Sequence, residues 1–479
     1  MSIKHKTVNG LIWSGLDNFA NLGIQFFVGV ILARILTPHE FGLIGILMTF
    51  VAISQSIVDS GFSQALIRKQ DCDDVDYSTV FYFNLAIGVL FYFLLFFSAG
   101  YISRFFNEPQ LNQIIKVFSI IIVVESFTVI QRTILIKRVD FKLQAKISVV
   151  STIVSGVLAI VMAYNHFGVW SLVALHVGRR SLNSLLLWRW NRWSPLWAFS
   201  KESFKELFAF GSKLLVTGLL NTVFKNIYFL VIGKYFSAQT LGFYTRADEF
   251  KRAPADNLSV IISRVSYPIL ASMQNDIPRL RSNYKKLIRS TMLITFVLVL
   301  GMAAVAEPMI ITLIGEKWRP SIIYLQMLSF VGMMFPLQAL NLNMLQVCGR
   351  SDLFLKLEVI KKILSVPVIV IGVIWGVKVM IVGMIVNAFI GYYINSYWSG
   401  KLIGYSLKHQ VADVLPSFFI AITMSVIVYI LGLILPFSYL WILITQIIAG
   451  ATFVILFCEI SQFKDYVFMK ELIIEKIKE

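Results

Sequence analysis

The feature that most restricts what this chain can fold into is its succession of long apolar runs. Broken at its charges and its Pro/Gly clusters, the sequence yields about 14 segments near the ~20 residues that a helix needs to cross a bilayer. They fall at 9–33, 42–66, 78–102, 112–136, 144–165, 168–190, 209–233, 245–270, 288–313, 321–347, 357–375, 377–399, 411–434 and 438–459. The eighth is the weakest, because charges interrupt it. A bilayer core offers no water to satisfy peptide groups, so such segments must be helical, and the expected class is an all-α polytopic membrane protein. Composition agrees: 57% of residues are hydrophobic, 14% are charged and the mean hydropathy is +0.76, outside the range of soluble domains.

A net charge of +17 would suggest nucleic acid as the partner of a soluble chain, but here Lys and Arg sort by membrane side. With the N-terminus inside, cytoplasmic segments hold about 27 of the 43 basic residues and the opposite loops about 6 (Arg34, Arg104, Lys234, Lys317, Arg319 and Lys378), which predicts cytoplasmic termini. The first run contains Asp17 and Asn21 and is too long for a signal-peptide core, so no cleaved leader is expected. Cys72, Cys348 and Cys458 lie far apart without CxxC spacing and predict neither a disulfide framework nor a zinc site.

The runs are internally repeated. LARILTPHEFGLI at 32–44 returns as IGKYFSAQTLGFY at 232–244, pairing Arg34 with Lys234, Thr37 with Ser237, Phe41 with Leu241 and Gly42 with Gly242. The preceding helices repeat too, with Asp17, Asn21 and Gln25 answering to Thr217, Asn221 and Lys225. RVDFKLQAK at 138–146 resembles GRSDLFLKLEV at 349–359, and Gly168-Val169 is matched by Gly376-Val377. The expected architecture is two six-helix lobes related by a parallel pseudo-twofold axis along the membrane normal, with two helices appended. Residues 1–190 form the N-terminal lobe, 191–208 a cytoplasmic linker, 209–405 the C-terminal lobe, and 406–479 the extra helices and a cytoplasmic tail.

Polar residues fall into stripes. Residues four apart advance about 40 degrees around a helix, so Ser14, Asp17, Asn18, Asn21 and Gln25 share one face of the first helix. Lys213, Thr217, Asn221, Lys225 and Tyr228 do so on the seventh; Gln55, Ser56, Asp59, Ser60 and Ser63 lie on the second, and Asp248, Arg252, Asp256, Ser259 and Ser263 on the eighth. A charge facing lipid costs about 2.5–3.5 kcal/mol on the mildest insertion scale, so these faces must meet protein or water. Single Ser, Thr, Asn or Gln residues are ordinarily interhelical glue. Asp17, Lys213, Lys225, Arg252 and Arg264 need a partner or a purpose, although Lys213 and Arg264 lie where they could snorkel to the cytoplasmic surface.

On the fourth helix, Glu125 and Arg132 share a face and read either as a structural pair over two turns or as part of a site. His176, Arg179 and Arg180 fit one face of the sixth, with His176 alone reading as a core residue. The predicted substrate-binding set is Lys225, Arg252, Asp17, Asn21, Gln25, Asn221, Asp59, Lys213, Arg264 and Arg132. A cavity of this kind suits an anionic head group, since guanidinium and ammonium groups bind phosphate strongly where water is scarce. No metal or organic cofactor is implied. Asp17, Asp59, Asp248 and Asp256 can either pair with the bases or carry H⁺ or Na⁺ as a coupling ion.

WSGLDNFANLGIQFFVGVILARILTPHEFGLIGI at 13–46, DSGFSQALIRK at 59–69 and GFYTRADEFKRAPADNLSVIISRVSYPILASMQ at 242–274 resemble the polysaccharide-export branch of the MOP flippase superfamily, which contains Wzx-type flippases of O-antigen and capsule units. The resemblance covers nearly the whole chain. It implies a V-shaped pair of lobes that flips undecaprenyl-pyrophosphate-linked oligosaccharide from the cytoplasmic to the periplasmic leaflet of a bacterial inner membrane by alternating access. It also implies that the chain is no enzyme, that membrane lipids and polysaccharide polymerase machinery are partners, and that 411–459 serve the lipid tail. In related lipid II flippases, charges on helices one, two and eight matter; the matching places are Asp17, Asp59 and 247–254. Those proteins carry arginine where this chain has Leu16, which moves the expected diphosphate contact to Lys225 and Arg252. The competing readings are a multidrug or other cation-coupled antiporter of the same superfamily, and a membrane polysaccharide polymerase or ligase. The antiporter usually has twelve helices and an acidic cavity. The polymerase or ligase needs a large periplasmic loop, and no HExxH or nucleotide loop is present.

Overall fold

The computed structural model describes residues 3–478, apart from the side chains of residues 3–12, Ser14, Ala253, Asn257, Ile261, Arg264, Val265, Leu472, Ile473 and 476–478. The described residues form helices and turns and contain no strand. They pack as two compact units, Met1–Gly242 and Phe243–Glu479.

In the first unit the helices are α1 (Ile3–Ile35), α2 (Pro38–Asp59), α3 (Phe62–Arg68), α4 (Asp74–Phe106), α5 (Leu111–Phe118), α6 (Ile120–Lys137), α7 (Phe141–Tyr164), α8 (Val169–Asn191), α9 (Lys201–Tyr235) and the start of α10 (Ala238–Ala271). The second holds the rest of α10, then α11 (Ile277–Ala304), α12 (Ala306–Ile314), α13 (Pro320–Gly332), α14 (Phe335–Val347), α15 (Ser351–Trp375), α16 (Val377–Ile403), α17 (Leu407–Ile434), α18 (Tyr439–Ile460) and α19 (Lys464–Lys478).

Eleven helical stretches among the described residues are long and apolar enough to cross a membrane, which makes this a multi-pass membrane protein. The sequence segments at 168–190, 245–270 and 357–375 are missing from the eleven. They are nonetheless helices, α8, α10 and α15, of 23, 34 and 25 residues. Each exceeds the ~30 Å hydrocarbon thickness at ~1.5 Å per residue. What sets them apart is charge, such as Arg179 and Arg180 on α8 and Lys356, Glu358, Lys361 and Lys362 on α15. Outward-facing Phe27, Phe97 and Tyr101, each more than 65% exposed, are the surface expected where lipid is the solvent.

Local chemistry sets the helix starts and turns. Pro38 opens α2 behind a capping box in which the Thr37 side chain accepts the Glu40 N–H, while the Glu40 carboxylate accepts the Thr37 N–H at 2.7 Å. At its other end α2 breaks at Ser60 and Gly61, whose φ values are +46° and +73°. Asp59 restarts the chain as α3, accepting the Ser63 N–H (3.3 Å) and O–H (2.5 Å). A side chain at Gly61 would stand 2.5 Å from the Gly211 carbonyl oxygen, and one at Gly211 would stand 2.8 Å from that of Ser60. This corner therefore seats directly on α9.

The connection from Arg192 to Ser200 is pinned rather than loose. Trp193 Nε1 donates to Asp74 (3.1 Å), Leu196 N to Ser78 Oγ (2.8 Å), Ser200 N to Thr79 Oγ1 (3.0 Å) and Gln131 Nε2 to the Trp193 carbonyl (2.9 Å). The carboxylates of Asp76 and Glu206, both 3.0 Å away, hold the Lys69 ammonium above the usual lysine range. Phe62, Phe81, Trp193 and Leu207 are buried together beneath this connection. Helix α9 thus packs within the first unit, so the compact unit ends later than the sequence repeat, whose link is read at 191–208.

The repeated glycines have a direct physical reason. A Cβ on Gly42 would lie 1.7 Å from the Ala238 carbonyl oxygen, and one on Gly242 would lie 1.8 Å from that of Pro38. The two copies of the motif therefore touch each other reciprocally, backbone on backbone, and only glycine permits it. In the second unit, α11 packs on α17 and α15 on α16. Lys285 and Arg289 of α11 reach Asp413 of α17 at 2.9 and 3.8 Å, and Arg289 Nε also bonds Asp465 of α19 at 2.9 Å, fastening the last helix.

Candidate functional site

Tertiary structure splits the polar face read on the first helix. Asn21 Nδ2 donates to Asp17 Oδ1 (2.5 Å) and to the Asp17 carbonyl (2.9 Å), while Thr152 Oγ1 of α7 donates to Asn21 Oδ1 (2.7 Å). Ser148 of α7 also hydrogen-bonds to Asp17, and Arg132 of α6 acts on its charge. Gln25, two turns further along, is exposed and takes no part in this cluster.

Arg132 does not pair with Glu125 along α6. Seven residues separate them, about 10 Å along the axis, and the partner comes instead from another helix: Arg180 of α8 forms the ion pair with Glu125. Arg179 interacts electrostatically with Arg180, Glu125 and Arg132. Three guanidinium groups therefore share one region of the first unit with two carboxylates, Asp17 and Glu125. Glu125 is almost fully buried, while Arg180 keeps about a third of its side chain exposed (32%). The surplus positive charge, in planar bidentate donors on helices set by packing, is chemistry that takes a phosphate or carboxylate. Arg179 and Arg180 belong to this cluster although the sequence set omits them. Their signal was the double arginine inside an apolar segment, where charge is expensive.

Other members of the predicted set are placed differently. Lys213, Thr217, Asn221 and Lys225 form an exposed stripe along α9, and among the described residues neither Lys213 nor Lys225 has a carboxylate partner. Asp59 is occupied by the N–H and O–H of Ser63 in the first turn of α3, and Thr133 Oγ1 of α6 lies 3.3 Å from that hydroxyl. The side chain of Arg264 lies outside the described residues.

In the second unit, Arg252 is half-exposed and bonds Asp248 at 2.7 Å. Asp248 is shared with Lys251 (2.9 Å), which also approaches Asp256 at 3.7 Å. Lys251 is buried, with its ammonium 4.9 Å from the centre of the Phe335 ring and its stem lying over Gly332, where a Cβ would come within 3.1 Å of it. The sequence set contained Arg252 but not Lys251, which sits one residue off the spacing of four that marks the stripe.

Comparison with known proteins gives a consistent family. Residues 31–323 match the family described as "polysaccharide biosynthesis protein". The chain is similar to the lipopolysaccharide biosynthesis protein WzxC of Escherichia coli, at 26% identity across 91% of this chain and 89% of that one. It is also similar to the teichuronic acid biosynthesis protein TuaB of Bacillus subtilis (27%, covering 74% and 73%) and the succinoglycan biosynthesis transport protein ExoT of Rhizobium meliloti (27%, covering 66% and 64%). In fold it resembles the lipid II flippase MurJ in an inward closed conformation, with a TM-score of 0.77 over 95% of this chain and all of that one, at 14% identity. It also resembles an inward-facing multidrug resistance MATE transporter, with a TM-score of 0.62 over 80% of this chain and 94% of that one. On the match over most of its length, the chain belongs to the polysaccharide biosynthesis protein family.

Proposed function

We propose that this protein flips a lipid-linked oligosaccharide, a repeat unit of O-antigen, capsule or exopolysaccharide on undecaprenyl pyrophosphate, across a bacterial plasma membrane by alternating access. The observation that carries the reading is the arginine surplus of Arg132, Arg179 and Arg180 over Glu125 and Asp17, in a chain whose relatives serve polysaccharide biosynthesis. A diphosphate is the anion that such a surplus suits. Within the first unit Lys225 offers a further positive contact, and Asn21 and Asn221 amide groups for sugar hydroxyls; Arg252 is the candidate anion contact of the second unit. A cavity meant for organic cations would need the opposite balance.

The architecture we infer has fourteen membrane helices, arranged as two repeated six-helix lobes and two extra helices, with both termini cytoplasmic. The helical character of α8, α10 and α15 and the reciprocal glycine contacts at Gly42 and Gly242 support it. Asp17, whose hydrogen bonds come from neutral amide and hydroxyl groups, is the carboxylate best placed to carry a coupling proton or Na⁺. In a flippase-null host, Lys225→Ala and Arg252→Ala should each reduce surface polysaccharide, and Arg132→Ala combined with Arg179→Ala should abolish it at normal membrane abundance. Full polysaccharide from all of these variants would rule out an anion-binding role for the charges.

A further inference from the structure

At one end of the first unit, the turns between α1 and α2, α4 and α5, and α7 and α8 come together around a cleft of about 300 Å³. Glu40, Gln110, Gln113, Phe167, Gly168 and Trp170 line it. None of these residues belongs to the charged clusters, and none is used in the proposed transport site.

The cleft is held in shape. His39, beside Glu40, meets Glu108 at 3.0 Å and ties the turn bearing Gln110 to the first turn of α2. Glu40 Oε2 accepts both the N–H (2.7 Å) and the O–H (2.9 Å) of Thr37. The other oxygen, Oε1, has no hydrogen-bond partner among the described residues and faces Gly168, 2.6 Å from where a Cβ would stand. Gly168 has φ +57° and ψ −130°, a backbone state that glycine adopts without strain. Both its conformation and its missing side chain leave one carboxylate oxygen open to the cleft. Gln110 and Gln113 are exposed, and Phe167 keeps 54% of its surface accessible beside Trp170.

These groups match one class of ligand. A sugar ring presents hydroxyls at its edge and an apolar C–H face. A carboxylate oxygen accepts from hydroxyls, two carboxamides donate and accept, and aromatic rings cover the apolar face. The volume is at the small end of ligand sites and fits a single ring. Among the described residues lining the cleft the one charged group is the Glu40 carboxylate, which opposes uronates and phosphates. We propose that this cleft binds a neutral sugar ring. Which glycan reaches it in the cell rests on the transport reading; the binding itself does not.

The test is saturation-transfer NMR on the purified full-length protein in detergent, with glucose, galactose, N-acetylglucosamine and glucuronate as probes. At least one neutral sugar should receive saturation from aromatic protons at millimolar concentration, and glucuronate should not. Gln110→Ala combined with Gln113→Ala should weaken that sugar by about tenfold or more, with helical circular dichroism and thermal midpoint unchanged. Glu40→Gln should weaken it less and lift the discrimination against glucuronate. The proposal is overturned if no neutral sugar binds, if glucuronate binds the parent protein equally well, or if the paired glutamine substitution leaves binding intact. If sugars bind but the charge substitutions above leave export normal, the transport reading falls alone. If export depends on those charges and no neutral sugar binds, the cleft proposal falls alone.

Discussion

The charged cluster of the first unit and that of the second are built in opposite ways. Asp17, Glu125, Arg132, Arg179 and Arg180 come from α1, α6 and α8 and leave a positive surplus. Asp248, Lys251, Arg252 and Asp256 come from a single helix and balance one another within about two turns. Charges that meet only through packing can be left unbalanced and available to an anion, because no local neighbour neutralises them. Charges on one helix find each other as soon as the helix forms. The first cluster is therefore the better candidate for recognition. The second, with Lys251 sealed against Phe335 and Gly332, carries more of the burden of holding α10 in place.

That contrast makes three further predictions. The largest effect is expected from Asp248→Ala, which strips buried Lys251 of its nearest carboxylate. Removing one member of a buried pair costs about 3–5 kcal/mol, with little added for half-exposed Arg252 because water screens it. Thermal unfolding in detergent should fall accordingly, and Lys251→Met in the same chain should recover much of the loss. An unchanged midpoint for the single variant would mean that the pair does not hold α10.

A smaller loss is expected for Glu125→Ala, about 1.5–3 kcal/mol, discounted because Arg180 is about a third exposed. Since the substitution also increases the positive surplus, binding of inorganic pyrophosphate measured by calorimetry should be retained or tighter. Weaker binding with an intact fold would show that Glu125 orients the arginines and does not merely balance them. The smallest effect is expected for Asp59→Asn. Asparagine can still accept from Ser63, so stability should change by less than the ~1 kcal/mol typical of one lost hydrogen bond and surface polysaccharide should stay normal. Loss of export from a stably folded Asp59→Asn protein would return Asp59 to the binding set.

Much of the fold was legible because lipid imposes a simple rule on sequence: about twenty apolar residues in a row must be a helix. The rule is weakest where charge interrupts it, and the three segments it separates from the eleven clear candidates, on α8, α10 and α15, include the carriers of Arg179, Arg180, Lys251 and Arg252. The site was partly legible for the same reason, since a charge in an apolar run announces itself. Its partner does not: Glu125 and Arg132 share a helix face, yet Glu125 pairs with Arg180 across α6 and α8. Asp59 lay on the expected polar stripe, but the left-handed turn at Ser60 and Gly61 brought its carboxylate to Ser63 in the first turn of α3. Helical periodicity gives the direction of a side chain about its own axis and is silent about which helix stands opposite.

By itself, the sequence determined that the chain is helical and membrane-embedded, that its motif at 32–44 is duplicated at 232–244, and that buried charge is concentrated on a few helices. These follow from hydropathy, period and repetition, which are properties of neighbours along the chain. Tertiary structure alone decided that the duplicated glycines Gly42 and Gly242 lie against the backbone of the other copy at Ala238 and Pro38. It also decided that three arginines outnumber their carboxylates, and that Gly168 leaves one oxygen of Glu40 open to a cleft. Each depends on residues far apart in sequence, where distance is set by packing and not by spacing.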